Sequence, residues 1–186
     1  MANAKGTALV DAVKFLRSQR EAARKVLPEA LHGYLTERIS EGRWYPEEHL
    51  LELLRAMVQL IPKPRTETLE LLGRASARIH LDGVYEHLAP TSDRLAIPRR
   101  VFALWSTMHD TGRMSAHPLG ETGMRLELAD YALPSREMCT LLCGYHLEAF
   151  RDSGLPGLAV AEADCRCNGA ALCAWEVSWK PVGPDA

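Results

Sequence analysis

The chain changes its hydrophobic period about two-thirds of the way along. Up to residue 111, apolar side chains recur every three or four positions, the spacing of helices with one buried face. Leu9, Val13 and Leu16 draw such a stripe over 7–18. Val26, Leu27, Leu31, Tyr34 and Leu35 continue it over 20–39, where Pro28 predicts a break or kink. Residues 42–46 read as a loop, with Pro46 suited to the first turn of the next helix. Leu50, Leu53, Leu54, Met57, Leu60 and Ile61 share a face over 46–61, and Pro62 and Pro64 end it. The helix predicted over 66–88 has Glu67, Glu70 and Arg74 on its polar side. Its inner face is small: Gly73, Ala77 and Gly83, beside Ser76 and His80. Such a face admits a second backbone at close range or leaves room for a ligand. Val101, Phe102, Leu104, Trp105 and Met108 define a fifth helix over 95–111, with Pro98 in its first turn and Gly112 as its C-cap.

The period then falls to two. A short strand over 113–119 and an alternating one over 123–131 flank a turn at 120–123. A helix over 134–152 turns Met138, Leu141, Leu142, Tyr145 and Ala149 inward. Strands over 158–167 and 172–179 make a second hairpin, with Cys173, Trp175, Val177 and Trp179 on one face. The predicted fold class is α+β: an N-terminal helical layer packed on a small antiparallel sheet, in the order ααααα-ββ-α-ββ. One domain over 1–186 is expected, with loose ends at 1–5 and beyond Trp179.

Composition narrows the function classes. The 186 residues are 47% hydrophobic and 25% charged, enough for a substantial core. A net charge of −2 argues against a dedicated nucleic-acid binder. No run of 18 apolar residues predicts a membrane span, and the N-terminus lacks the layout of a secretory signal, so the cytoplasm is the expected address. No G-x-S-x-G, H-E-x-x-H or glycine-rich phosphate loop points to an enzyme. Glu47, Glu48 and His49 read as the solvated first turn of a helix, where acids suit the dipole.

Five cysteines add the most specific chemistry. Cys139, Cys143, Cys165, Cys167 and Cys173 all lie in the last third. An odd count without an export signal argues against a disulfide framework. Cys165 and Cys173 flank a turn at Asn168-Gly169, and a hairpin brings its two bases together. Cys139 opens the helix that must pack on that hairpin. With Glu162 these supply three thiolates and a carboxylate, a set suited to structural zinc. Glu162 and Cys165 fall on opposite faces of a regular strand, so a bulge or twist is needed if both are ligands. Cys143, His146 and Cys167 are rival ligands, and reduced thiols in an ordinary core are the plain alternative.

The block E-x-x-C-x-C-N-G-x-x-x-C-x-W-E-V, ending in CRCNGAALCAWEVSW, resembles the 4-vinyl-reductase-type ligand-binding domain. That domain shares its fold with TRAPP transport-particle subunits and, more distantly, with haem nitric-oxide-binding (H-NOX) domains. Over 5–180 the chain is also similar to a paralogous myxobacterial family, through KGTALVDAVKFLR, RWYPEEHLLELLRAM, LGRASARIHLDGVYEHL and LWSTMHDTGRM. The resemblance implies a sensor-like α/β body, often dimeric. Phenol-sensing activators with such a domain hold zinc through three cysteines and a glutamate, which match Cys139, Cys165, Cys173 and Glu162 here.

A ligand pocket of such a fold lies between helices and sheet, and His80, Tyr85, Trp105 and His109 are its expected lining. His109 is the best-placed residue for a haem iron, but the Tyr-x-Ser-x-Arg signature that grips haem propionates in H-NOX domains is absent. The expected function is a non-catalytic module that binds or senses a small apolar or aromatic molecule. It carries structural zinc, forms a homodimer and passes its output to a protein partner. A TRAPP-type interaction adaptor with a filled core is the alternative, and a haem or redox sensor a lesser one. A cavity of a few hundred cubic ångströms separates the first two.

Overall fold

A computed structural model describes residues 2–90, 93 and 95–181. The helices are α1 (Gly6–Ser18), α2 (Arg20–Val26), α3 (Glu47–Leu60), α4 (Arg65–Leu81), α5 (Ile97–Met108) and α6 (Arg136–Ala149). The strands are β1 (Asn3–Lys5), β2 (Trp44–Pro46), β3 (Arg113–Pro118), β4 (Gly123–Ala129), β5 (Ala159–Asp164) and β6 (Cys173–Ser178). The predicted α+β order ααααα-ββ-α-ββ holds, with one addition.

That addition is a small second sheet. β1 pairs antiparallel with β2, where the sequence predicts a loose end and a loop. Ala4 also bridges to His109, and both the backbone N–H and the side-chain amide of Asn3 donate to the Asp110 carboxylate. Strands of three residues are too short to show alternation, so their pairing is visible only in three dimensions. The expected loose tail falls mostly on 182–186, outside the described residues.

The main sheet is antiparallel in the order β3-β4-β6-β5. Its inner face buries Met124, Leu126 and Leu128 of β4 against their partners Val177, Trp175 and Cys173 of β6. Arg125, Glu127 and Glu176 alternate onto the opposite face. α6 lies on the apolar side, started by Ser135, whose Oγ accepts from the Met138 N–H at 3.1 Å.

α4 crosses α6 at very close range. A Cβ on Gly73 would stand 1.9 Å from the Leu141 carbonyl oxygen, and one on Gly144 2.0 Å from that of Glu70. The small inner face predicted for α4 is therefore a backbone-to-backbone contact. α4 ends at Leu81, short of the predicted 88, with Gly83 in the turn that follows. Pro28 does break its stretch: α2 ends at Val26, and 29–35 continue as a tighter 3₁₀ turn. Leu9, Leu16 and Leu53 are fully buried between α1, α3 and their neighbours, each contributing roughly 1.5–3 kcal/mol.

Candidate functional site: an apolar cavity beside a thiol cluster

The helices enclose a partly open cavity of about 290 Å³. Ala8, Asp11, Ala12 and Phe15 of α1 form one wall, a stripe at helical spacing. Leu72, Ala75, Ser76, Ile79 and His80 of α4 form another, and Leu141, Leu142, Tyr145, His146 and Ala149 of α6 a third. α3 supplies Leu50, Leu54 and Met57; α5 supplies Val101, Leu104, Trp105 and Met108. Nearly the whole wall is hydrocarbon. Asp11, Ser76, Tyr145 and three histidines are its polar members.

The polar groups are held in definite states. His80 donates from Nε2 to the Thr7 carbonyl at 3.3 Å, which leaves Nδ1 to accept from the Tyr145 hydroxyl, also at 3.3 Å. Burial lowers its pKa, only partly offset by the Thr7 carbonyl and the Asp11 carboxylate. His146 is pushed down to about 3 by burial, so it stays neutral, and its Nε2 finds no hydrogen-bond partner. Asp11 divides its carboxylate: Oδ1 meets Lys14 Nζ at 3.3 Å, while Oδ2 is buried and unpartnered.

Three of the four predicted lining residues, His80, Trp105 and His109, border this cavity. Tyr85 does not. Its hydroxyl lies 3.0 Å from Thr7 Oγ1, and its ring meets His80 edge-on, behind the wall.

Behind His109 lies a network that sequence reasoning missed. Glu47 is fully buried, not solvated. Its Oε1 accepts from the Tyr131 hydroxyl at 2.9 Å and meets His109 Nδ1 at 2.5 Å. The His109 ring stacks on Trp105, with centroids 4.0 Å apart. β1 explains the error: it lies over the start of α3, and the Glu47 N–H donates to the Ala2 carbonyl. What looked like an open helix terminus is covered.

The hairpin and α6 also bring three of the predicted metal ligands together. Cys139, Cys165 and Cys173 are buried, with sulfur atoms all within 4.8 Å of one another. Cys139 Sγ is 3.5 Å from both of the others. Burial, then the neighbouring thiols, raises the Cys139 pKa. Cys165 is buried too, which raises its thiol, but hydrogen bonds from Cys139, the Cys167 backbone and Arg136 together bring it below its usual value.

The strand is irregular where a shared site would require it, with a register shift between Glu162 and Asp164. Glu162 lies beside the cluster with its carboxylate bonded to Arg136 at 2.6 Å. Of the rival ligands, Cys143 is half-buried and shifted up to about 11, mainly by burial, Cys167 is exposed, and His146 faces the cavity region instead.

No protein-family model matches the chain, and no curated protein does. Solved structures do match. An H-NOX protein from S. oneidensis in the Fe(II)NO ligation state is 14% identical, with 95% of this chain and 99% of that one covered and a TM-score of 0.66. A point mutant of T. Tengcongensis H-NOX is 14% identical over 95% and 98% of the two chains, at a TM-score of 0.65. An unliganded Fe(II) H-NOX mutant from K. algicida is 12% identical over 95% and 97%, at 0.64. The chain thus has an H-NOX-like α+β fold. Among the described residues, no helix is long and apolar enough to cross a membrane.

Proposed function

We propose that the chain is a non-catalytic small-molecule-binding module whose cavity takes a small apolar or aromatic molecule. The observation that carries this reading is the cavity of about 290 Å³, roughly twice the ~150 Å³ engineered void that holds a benzene ring. An apolar wall with a few placed polar groups is the common character of ligand sites. The adaptor alternative requires a filled interior, which these helices do not enclose. Output would pass to a protein partner or through a homodimer.

Solved neighbours include an H-NOX structure described by its haem distortion and another in an Fe(II)NO state, but the residues of this cavity do not fit haem. Two propionates need cationic or donor groups, and among the described residues no lysine or arginine borders the cavity; its one acidic lining residue is Asp11. Burying unpaired carboxylates beside another carboxylate is costly. His109, the best-placed axial candidate, meets Glu47 at Nδ1, an arrangement that orients its ring and is compatible with a metal at Nε2, so the misfit rests on the missing partners for the propionates.

The thiol cluster suits structural zinc. Cys139, Cys165 and Cys173 would supply three thiolates, with Glu162 as the fourth ligand on release from Arg136. The ion would tie the last hairpin to α6, behind the cavity wall. Elemental analysis and native mass spectrometry of purified protein test both parts. About one zinc per chain and a retained or titratable small molecule are expected. A folded, metal-free protein that binds no small aromatic molecule would overturn the reading.

A further inference from the structure

Two features of the cavity go beyond apolar capacity. Among its described lining residues there is no lysine or arginine, and Asp11 is the one carboxylate. Asp11 sits one helical turn from both Ala8 and Phe15 on the α1 wall. Its Oδ1 faces Lys14, whereas Oδ2 is buried without a partner. A carboxylate oxygen with no donor in a buried place is an unmet acceptor, and a ligand can meet it.

We propose that the cavity selects an apolar or aromatic amine: its ring body fills the hydrocarbon space and its ammonium group donates to Asp11 Oδ2. This rests on the cavity reading above and specifies its ligand class. Three points favour a cation over a neutral or anionic ligand. The acceptor is a carboxylate, and charge-assisted hydrogen bonds are about twice as strong as neutral ones. Oδ2 itself is buried and makes no hydrogen bond, so a donor that reaches it satisfies an acceptor that is otherwise left unmet in the interior. The nearby imidazole of His80 is kept uncharged by burial and does not repel a cation. A carboxylate ligand would face Asp11 with no lysine or arginine among the described lining residues to offset the repulsion.

Three indoles that share one ring body test the proposal by calorimetric titration: tryptamine, 3-propylindole and indole-3-propionate. Tryptamine should bind roughly tenfold or more tighter than 3-propylindole, and the propionate should show no saturation. Asp11→Asn should remove the advantage of tryptamine while leaving 3-propylindole unchanged. Lys14→Ala should keep or enlarge that advantage, because it removes the cation that competes for the same carboxylate. Equal affinities of tryptamine and 3-propylindole, or an advantage that survives Asp11→Asn, overturn the amine specificity and leave the cavity reading standing. Failure of all three probes to bind overturns both.

Discussion

Gly144→Ala probes the contact that fixes two walls of the cavity. The added methyl would stand 2.0 Å from the Glu70 carbonyl oxygen and 2.7 Å from its carbon. Both are backbone atoms, so no side-chain rotation relieves the clash. α4 and α6 must part by more than ~1 Å to reach ordinary contact distance. Overpacking of this kind costs about 1–3 kcal/mol, and a rigid backbone neighbour places the site at the upper end. Alanine regains about 1 kcal/mol as the better helix former. The net loss is about 2 kcal/mol, which for a chain of this size lowers Tm by roughly 4–8 °C. Gly73→Ala meets the Leu141 oxygen at 1.9 Å and should behave alike. The double variant should cost less than the sum, because one separation relieves both clashes. Gly42→Ala, with nothing within 4 Å, is the control. Thermal unfolding followed by circular dichroism reads all four. A Gly144→Ala protein that melts with the control would refute the close crossing, and with it the shape of the cavity.

Other outcomes follow from the same geometry. Cys173→Ser should abolish metal retention in elemental analysis while Cys143→Ser keeps it; equal retention would remove Cys173 from the ligand set. Glu47→Leu strands the Tyr131 hydroxyl and a His109 nitrogen in the interior. At about 1–3 kcal/mol per orphaned group it should lower Tm by several degrees, and an unchanged Tm would contradict the buried network. Acid should weaken the fold through His146. Its pKa is depressed to about 3 from the usual 6.5, so between those values the unfolded chain binds a proton that the folded chain refuses. Stability therefore falls as pH drops from about 6.5 towards 3, by on the order of 1 kcal/mol per pH unit. His146→Leu should flatten that slope in denaturant titrations at pH 4 and 7, and an identical slope would show that this histidine is not the cause.

What could be read from the sequence depended on the range of the interaction. The main sheet was legible because Met124, Leu126 and Leu128, like Cys173, Trp175 and Val177, alternate within single strands. The small face of α4 announced a close contact, though not that Gly144 of α6 would answer Gly73. The thiol cluster was legible because a hairpin and its preceding helix leave few places for three cysteines. Glu47 was misread because its partners, His109 and Tyr131, lie 62 and 84 positions away. A carboxylate in a helix's first turn gives no local sign that a three-residue strand covers it. Asp11 escaped, and His146 was legible only as a rival metal ligand, for a related reason. Each is one polar side chain on an otherwise ordinary amphipathic helix, and only the enclosed space gives it meaning.

Titration with indole, a neutral ring small enough for this space, compares the native protein with an Ala12→Phe variant, which adds a ring at a buried position of the α1 wall. Saturable one-to-one binding by the native protein, lost in a variant that still folds, is the expected result. No binding to the native chain, or equal binding by both proteins, would contradict the claim that this cavity is where the molecule does its work.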